Sequence, residues 1–168
     1  MNIQIRPIEK KELGLVNLKL PQESPSLHRR RFKEQEKGNV VYLIAWNNKT
    51  PIGHLLVRFN GARYKKVKKY LKKCPHLESL GVGKKVRRKG IATKIVRKAE
   101  NMLKRKKFGK VGLAVEDNPK SAPNILYKKI GYKDWGHGNV IDIWSFVNKR
   151  GKKITRREKC VYLIKNLK

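Results

Sequence analysis

The 168-residue sequence predicts a mixed α/β (or α+β) domain in which about four helices flank a central sheet of about six to seven strands. Short runs rich in β-branched and aromatic residues predict strands, and runs with apolar residues three or four positions apart predict amphipathic helices. One of these helices joins two strand-like runs, as in the crossover between parallel strands. Hydrophobic residues form 39% of the chain and no internal repeat is visible, so we expect a single domain over residues 1–168.

The first 59 residues predict a strand, two helices and a hairpin, in that order. An alternating run over residues 3–6 ends at Pro7, and residues 13–20 place apolar side chains on one helical face. Pro21 and Pro25 then interrupt the chain, and a second helix begins after them, at about Ser26. Two β-rich runs follow, separated by turn-forming residues, and they predict the hairpin: residues 40–46 and 52–59.

Residues 60–75 form a strongly basic segment between the hairpin and the next predicted strand. Val67, Tyr70 and Leu71 have the spacing of one short amphipathic helix. We therefore predict a basic insertion on the surface of the domain.

Strands and helices alternate in the rest of the chain. Residues 77–82 predict a strand, and a long amphipathic helix follows Gly90. Another strand precedes a helix that Asn118-Pro119 opens and that ends near Ile130. The remaining strands are residues 111–115, 140–147 and 160–164, the last two joined by a loop that contains Asn148 and Gly151.

The charge balance is extreme, since 44 Lys and Arg against 12 Asp and Glu give a net charge of +32. Such a surface attracts RNA, DNA or acidic proteins, and the attraction weakens with salt. The alternative is a lysine-rich composition whose solvated faces have no partner. Charge alone does not decide between these two interpretations.

The sequence also predicts the cellular location of the protein and the absence of a metal site. No apolar run approaches the roughly 18 residues needed to cross a bilayer, and no signal segment is visible, so we expect a cytoplasmic protein without a membrane partner. The two cysteines and four histidines lack the spacing of metal ligands, so we expect no metal site. His28, His54 and His137 are expected to be structural or surface residues.

Residues 82–93 carry the most informative motif, a Gly-containing turn between a strand and the long helix. Gly90 and Ala92 have little or no side chain, so backbone N–H groups at the helix N-terminus can approach an anion closely. Flanking Arg and Lys add positive charge. Neither dinucleotide nor P-loop spacing occurs here. The segment therefore predicts a pyrophosphate-binding turn.

This segment resembles the acetyl-CoA motif of the GNAT superfamily of N-acetyltransferases, in which Arg or Gln is followed by two residues, Gly, one residue, and Gly or Ala. Arg87, Gly90 and Ala92 match that pattern, and Asn118, Ala122, Tyr127 and Gly131-Tyr132 are similar to the second family block. The resemblance implies a GNAT-like sheet whose strand at Leu80 and Val82 pairs with the pantetheine of acetyl-CoA. The cofactor-binding residues it implies are Leu80, Val82, Arg87, Arg88, Lys89, Gly90, Ile91, Ala92, Thr93 and Asn118.

Acetyl transfer needs an unprotonated amine and a proton for the departing thiolate, so we expect one base and one acid. Glu78 is the candidate base, because regular strand alternation would place it on the same face as Leu80 and Val82. His76 and water are the alternatives for that role. Tyr127, at the position of the family's usual acid, is the candidate proton donor.

The sequence leaves the acceptor open. The first hypothesis is direct attack on acetyl-CoA by a primary amine of a small molecule, peptide or protein. A cationic small acceptor would need acids such as Asp142 in the cleft to offset the charge of the protein. The alternatives are an RNA-borne or ribosomal acceptor and a non-catalytic nucleic-acid-binding module on the same scaffold, since fold does not fix function. Either a monomer or a homodimer is compatible with the sequence.

Overall fold

The fold, described by a computed structural model over residues 1–20 and 26–168, is built on one eight-stranded sheet. Pro21 and Pro25, the predicted interruption between the first helices, lie outside the described residues. The strands are β1 Ile3–Pro7, β2 Val40–Asn47, β3 Thr50–Arg58, β4 His76–Val82, β5 Lys110–Glu116, β6 Lys133–Asp134, β7 Val140–Val147 and β8 Lys153–Asn166. The α-helices are α1 Leu13–Lys19, α2 Leu27–Glu36, α3 Lys65–Tyr70, α4 Ile91–Arg105 and α5 Ala122–Lys129.

The strand order is β1-β2-β3-β4-β5-β8-β6, and β7 pairs with the N-terminal half of β8. All strand pairs are antiparallel except β4 and β5, which α4 connects as a crossover. The predicted class is confirmed. The two-residue β6 and the longer β8, which extends as a hairpin with β7, were not expected from the sequence.

Helices cover both faces of the sheet. On one face, α4 and α5 pack on the largest apolar cluster, which includes Leu55, Leu77 and Ile95. On the other face, α1 and α2 pack on a second cluster around Tyr42. The hydrophobic effect therefore holds the sheet between two helical layers. No helix of the described residues is both long and apolar enough to cross a bilayer.

The basic segment 60–75 also contributes to the core. Its lysines on α3 are exposed, as predicted, but Ala62 and Val67 are buried against Trp135 and Tyr162. Helix α3 therefore packs on this cluster and forms part of the core.

Helix α5 begins later than the sequence predicts. Asn118 lies in a turn, where its side-chain oxygen accepts a hydrogen bond from the Lys120 N–H at 3.1 Å. Ser121 is the N-cap, and its hydroxyl accepts a hydrogen bond from the backbone N–H of Asn124. The prediction that Asn118-Pro119 opens the helix is therefore wrong by about one turn.

Candidate acetyl-transfer site

Strands β4 and β5 separate shortly after they begin to pair. Their parallel pairing comprises His76 with Gly112 and Leu77 with Leu113, after which the register stops. Residues 78–82 remain paired with β3 on their other side. The backbone of β4 therefore faces a gap where a neighbouring strand would normally supply hydrogen bonds.

A β-bulge interrupts β4 at the start of this gap. His54 pairs with Gly81 and Leu56 with Glu78, so one residue of β3 lies opposite two residues of β4, Ser79 and Leu80. Ser79 has a φ of 58°, in the left-handed region. The bulge therefore shifts the side-chain alternation of β4 by one position.

This shift separates Glu78 from Leu80 and Val82. Leu80 and Val82 pack against the cluster under α4, whereas Glu78 bonds to Arg58 on the opposite face. The prediction that Glu78 shares a face with Leu80 and Val82 is therefore wrong, because it assumed a regular strand.

A cleft of about 1150 Å³, here called the α4 cleft, lies between β4, β5, α5 and the N-terminus of α4. Most of the predicted cofactor-binding residues line it: Leu80, Val82, Arg87, Arg88, Gly90, Ile91, Ala92 and Thr93. Lys89 and Asn118 are not among its lining residues. The structure thus brings the strand and the loop of the motif to one cavity.

The loop that enters α4 is shaped for close approach of a ligand. Gly90 is the N-cap with a φ of 72°, and a Cβ added there would meet nothing within 4 Å. Arg87 donates from Nε to the Val82 carbonyl oxygen at 3.1 Å, which ties the loop to β4. Since the first N–H groups of a helix lack partners within the helix, this N-terminus presents donors and positive charge to the cleft.

Tyr127 on α5 lines the α4 cleft and is 5% exposed. Its ring packs edge-on against Tyr132, with the centroids 5.3 Å apart. Burial raises the pKa of Tyr127 well above that of a free tyrosine, so its hydroxyl keeps its proton at neutral pH.

A second cleft of about 680 Å³, here called the Arg58 cleft, opens on the opposite face of β4. Residues of α2, β3, β4 and β7 form its walls, among them Glu34, Arg58 and Trp144. Residues 77–81 and Ala114 line both clefts. The two cavities therefore meet at the gap between β4 and β5.

Arg58 organises the charges at this junction. Its buried guanidinium donates to Glu78 at 2.6 Å and to Glu34 at 2.9 Å. Burial opposes the ionisation of Glu78, but His76 and Arg58 outweigh it and hold the pKa of this carboxyl below its usual range. Glu78 is therefore an anion at neutral pH.

His76, the alternative base, is a buried neighbour of Glu78. Its Nδ1 lies 3.1 Å from the Tyr162 hydroxyl, and the two rings stack at 5.8 Å. Burial lowers the pKa of His76 to about 4, so the ring is neutral at pH 7.

Asp142 on β7 supplies a third carboxyl to the Arg58 cleft, beside those of Glu34 and Glu78. Burial raises the pKa of Asp142, while a hydrogen bond from Tyr64 partly offsets that effect. Sequence reasoning named Asp142 only among acids that could line a cleft, and it did not identify Arg58. Neither residue lies in a motif, so no local signal pointed to them.

Metal ligation has no visible basis in the described parts of the chain, where no group of three or more His, Cys, Asp or Glu side chains could hold an ion. His28 and His54, expected to be structural, are buried between α2 and the sheet. His137 is exposed and stacks on Tyr70 with a centroid separation of 4.0 Å.

Comparison with known proteins gives the family. A sequence profile described as the acetyltransferase (GNAT) family matches residues 6–132. No curated protein matches the chain. The fold is similar to that of an N-acetyltransferase from Staphylococcus aureus Mu50, with a TM-score of 0.69 and 15% identity over 100% of both chains.

Two other solved structures are similar over nearly their whole length. The ribosomal-protein-S18-alanine N-acetyltransferase of Escherichia coli has a TM-score of 0.65 and 12% identity, covering 98% of this chain and 94% of that one. The PaiA N-acetyltransferase of Thermoplasma acidophilum, solved in complex with coenzyme A, has a TM-score of 0.65 and 15% identity over 99% of each chain. The match to the family profile extends from β1 to Tyr132, and the chain therefore belongs to the acetyltransferase (GNAT) family and is an acyltransferase.

Proposed function

We propose that the protein transfers the acetyl group of acetyl-CoA to a primary amine by direct attack in a ternary complex. The observation that carries this proposal is that two clefts open on opposite faces of β4 and meet where β4 separates from β5. A thioester in one cleft and an amine in the other would meet at residues 78–81. The amine nitrogen bonds to the acetyl carbon, and the thioester C–S bond breaks.

The α4 cleft suits acetyl-CoA because its polar groups match the parts of that molecule. The amide groups of the pantetheine arm can pair with the β4 backbone at the gap, where β5 has moved away. The pyrophosphate would lie at the N-terminus of α4, close to Arg87 and Arg88. Gly90 leaves the backbone uncovered at that point.

Tyr127 is the proposed proton donor to the departing thiolate. Its raised pKa keeps the hydroxyl protonated at neutral pH, so a proton is available when the thiolate forms beside it. Its position on the wall of the α4 cleft, on the side where the thioester would bind, supports this role.

Glu78 is the proposed anion that assists the amine. The nitrogen becomes positively charged as it attacks, and a carboxylate at the junction of the clefts stabilises that charge and accepts the proton directly or through water. His76 is less suited, because its ring is buried and bonded to Tyr162. Asp142, whose pKa is raised, lies in the same cleft and can receive the proton next.

Thermal denaturation with and without CoA tests the donor half of this proposal. CoA at a hundredfold excess over its dissociation constant is expected to stabilise the folded protein by about 2.7 kcal/mol. Gly90→Val is expected to abolish that stabilisation, because a side chain there would hinder the approach of the pyrophosphate and the left-handed φ disfavours it.

Gly136→Val is the matched control, since Gly136 has a φ of 82°, meets nothing within 4 Å and lines neither cleft. This variant should lose a similar amount of stability and keep the CoA shift. No thermal shift with millimolar CoA in the parent protein would contradict the proposal.

A polyanionic acceptor, RNA-borne or ribosomal, is the second candidate for the amine. Three cationic segments adjoin the Arg58 cleft: α2 through Arg30, the residues just before α3 through Arg63 and Tyr64, and the β7–β8 hairpin through Phe146. Glu34 and Glu78, the acids at the centre of the cleft, are already paired with Arg58. The exposed lysines of α3 and of the β7–β8 hairpin add positive charge that would attract phosphates.

Isotope-labelled acetyl-CoA added to cell extract tests this second candidate. If the acceptor is RNA-borne, the label should enter a species that disappears when the extract is first treated with RNase. Label that stays in a protein after RNase treatment supports a protein acceptor, and a ribosomal protein would be identified by mass spectrometry of the labelled band.

A further inference from the structure

The outer part of the β7–β8 hairpin, residues 141–159 and here called the outer hairpin, extends beyond the rest of the sheet. Strand β5 pairs with β8 from Cys160 to Asn166, and within the described chain residues 153–159 pair with β7 alone. Of the nine large hydrophobic side chains that are exposed among the described residues, four lie on β7: Ile141, Ile143, Trp144 and Val147. Such a concentration of exposed apolar side chains on one strand is typical of an interaction surface.

One face of the outer hairpin presents an aromatic pair beside a cation. Trp144 and Phe146 stack with their ring centroids 5.5 Å apart and their planes 27° from parallel. They share a face because they are two residues apart on β7, and Arg156 of β8 lies directly opposite Trp144. Trp144 is 38% exposed, whereas Trp46 and Trp135 are buried. The exposed part of Trp144 therefore offers a surface on which a further planar ring can stack.

Positive charge is concentrated at the tip of the outer hairpin. Among the residues that the structure describes, the exposed cations of this segment with no ion-pair partner are Lys149, Arg150, Lys152, Lys153, Arg156 and Arg157. Its two acids, Asp142 and Glu158, lie opposite each other at the end nearest the rest of the sheet. A polyanion is therefore attracted to the tip and to the aromatic pair beside it.

The aromatic face also borders the Arg58 cleft. Trp144 and Phe146 line that cleft, and Arg30 and Arg63 line it from α2 and from the residues before α3. Both arginines are exposed. A polyanion lying on the aromatic pair would therefore have positive charge on two sides, from the tip of the outer hairpin and from these arginines.

A single-stranded nucleic acid matches both the rings and the charge. Its bases stack on aromatic side chains and its phosphates pair with Lys and Arg. An acidic peptide supplies the charge without a regular series of planar rings, and the bases of a duplex are already stacked on one another. A second copy of this chain would bring a net charge of +32 to the same surface, which opposes its binding there.

We propose that the outer hairpin binds single-stranded RNA, with a base stacked on Trp144 and the adjoining phosphates held by Arg156 and the cations of the tip. RNA is chosen over DNA because the single strands of a cell are chiefly RNA. The inference goes beyond acetyl transfer, since this binding requires neither acetyl-CoA nor an acceptor amine on the RNA. RNA held in this way would pass the opening of the Arg58 cleft.

The test is fluorescence anisotropy with a labelled oligouridylate of about 12 nucleotides, without acetyl-CoA. Trp144→Ala removes the stacking surface and leaves the charge, so the dissociation constant should rise about tenfold while the slope of log K against log salt stays unchanged. Trp144→Phe should recover most of the affinity. Replacing Lys152, Lys153 and Arg156 with Gln should instead reduce the slope by about 0.7 for each lost phosphate contact.

Two control variants change the same kinds of side chain elsewhere. Leu18→Ala removes an exposed apolar side chain of α1 that lines neither cleft, and it should leave the dissociation constant unchanged. Replacing the exposed Lys94, Arg97 and Lys98 of α4 with Gln should leave the salt slope unchanged. Tryptophan fluorescence gives a second measurement, because RNA stacked on Trp144 should quench the emission of the parent and not that of Trp144→Phe.

Several results would overturn the proposal. They are undetectable binding of the oligouridylate at physiological salt, parental affinity in Trp144→Ala, and an equal loss of affinity for polyglutamate in that variant, which would mean that the ring does not contact a base. Tighter binding of oligothymidylate than of oligouridylate would overturn the choice of RNA. A dimer that sedimentation detects in the parent and not in Trp144→Ala would assign the surface to a second copy. Stabilisation by CoA is measured separately, so none of these results decides the acetyl-transfer proposal.

Discussion

The two clefts that meet at β4 are built in different ways. The α4 cleft is formed mainly by one continuous stretch, from β4 through the Gly90 loop into α4, with further residues from β5 and α5. The Arg58 cleft takes side chains from α2, β3, β4 and β7, which are far apart in sequence. If acetyl-CoA binds in the α4 cleft and the amine in the Arg58 cleft, as we propose, donor recognition is mainly a local property of the chain, and acceptor recognition is a property of its tertiary structure. The walls of the Arg58 cleft other than residues 77–81 and Ala114 can therefore change without altering the α4 cleft.

Removing the proposed acid should give the largest loss of turnover among these variants. The structural change should be limited to the α4 cleft. Tyr127→Phe keeps the ring that packs against Tyr132 but removes the proton. Turnover should fall by about 10²–10⁴-fold while the dissociation constant of CoA changes little. Steady-state kinetics on an identified acceptor, together with CoA titration, measure both quantities.

Tyr132→Phe is the control for this prediction, because Tyr132 is equally buried but does not line either cleft. Its turnover should remain near that of the parent. Parental turnover in Tyr127→Phe would remove this residue from the mechanism and leave water or the substrate to protonate the thiolate.

Replacing the carboxylate of Glu78, at the junction of the two clefts, with a neutral amide should reduce turnover by a smaller factor, and that factor should depend on pH. Glu78→Gln removes the charge that assists the amine, so turnover should fall by about 10²-fold at pH 7 and recover partly at higher pH, where more amine is unprotonated. The pH–rate profiles of Glu78→Gln and Asp142→Asn, measured side by side, distinguish the two carboxyls. An unchanged profile shape in Glu78→Gln would assign Glu78 to structure alone.

Glu78→Gln should also change how the stability of the fold depends on pH. The folded-state pKa of Glu78 lies below its unfolded value, so its ion pair stabilises the fold at neutral pH and that contribution is lost as the pH falls through the folded pKa. The melting temperature of Glu78→Gln should therefore be lower than that of the parent at pH 7. The difference should shrink in acid, as measured by thermal denaturation at both pH values.

Removing positive charge near the Arg58 cleft should give the smallest effect. It should be visible mainly as a weaker salt dependence of RNA binding. If RNA binds there, replacing the exposed Lys65, Lys68 and Lys72 with Gln should reduce the slope of log K against log salt by about 0.7–0.9 for each lost phosphate contact. Fluorescence anisotropy with a labelled RNA at several salt concentrations gives the slope.

Three cations of α4 provide the comparison for this experiment, because Lys94, Arg97 and Lys98 are exposed on the other side of the sheet. Their replacement should leave the slope unchanged. An equal change in both sets would mean that the positive charge acts without a specific surface, and undetectable binding at physiological salt would favour a small-molecule or protein acceptor.

The sequence was most informative where function depends on neighbouring residues. The Gly90 turn, the strand before it and the helix after it were all predicted, because turn chemistry and apolar periodicity are local signals. The bulge at Ser79 was not, since no residue there is typical of a left-handed φ, and the predicted face of Glu78 was wrong for that reason. The start of α5 was misplaced because the turn at Asn118 resembles a helix start until Ser121 is known to be the cap.

The Arg58 cleft could not be assembled from sequence for a different reason. Arg58 joins Glu34 on α2 to Glu78 on β4 across separations of 24 and 20 residues, and Tyr64 meets Asp142 only after α3 has folded onto the sheet. Such contacts depend on the register between strands and on which face each helix covers. Hydrophobic periodicity predicts that the strands and helices exist, but it does not predict which of their side chains come into contact.

The opening of the two clefts on opposite faces of β4 also bears on how a catalytic cycle ends. If acetyl-CoA binds in the α4 cleft and the amine in the Arg58 cleft, as we propose, the acetylated product and free CoA leave by separate openings, so neither obstructs the departure of the other. The order of release is then decided by how tightly each product is held. A long-lived complex with one product can consequently accept the next molecule of the opposite substrate, and the slow step of turnover depends on the concentrations in the surroundings.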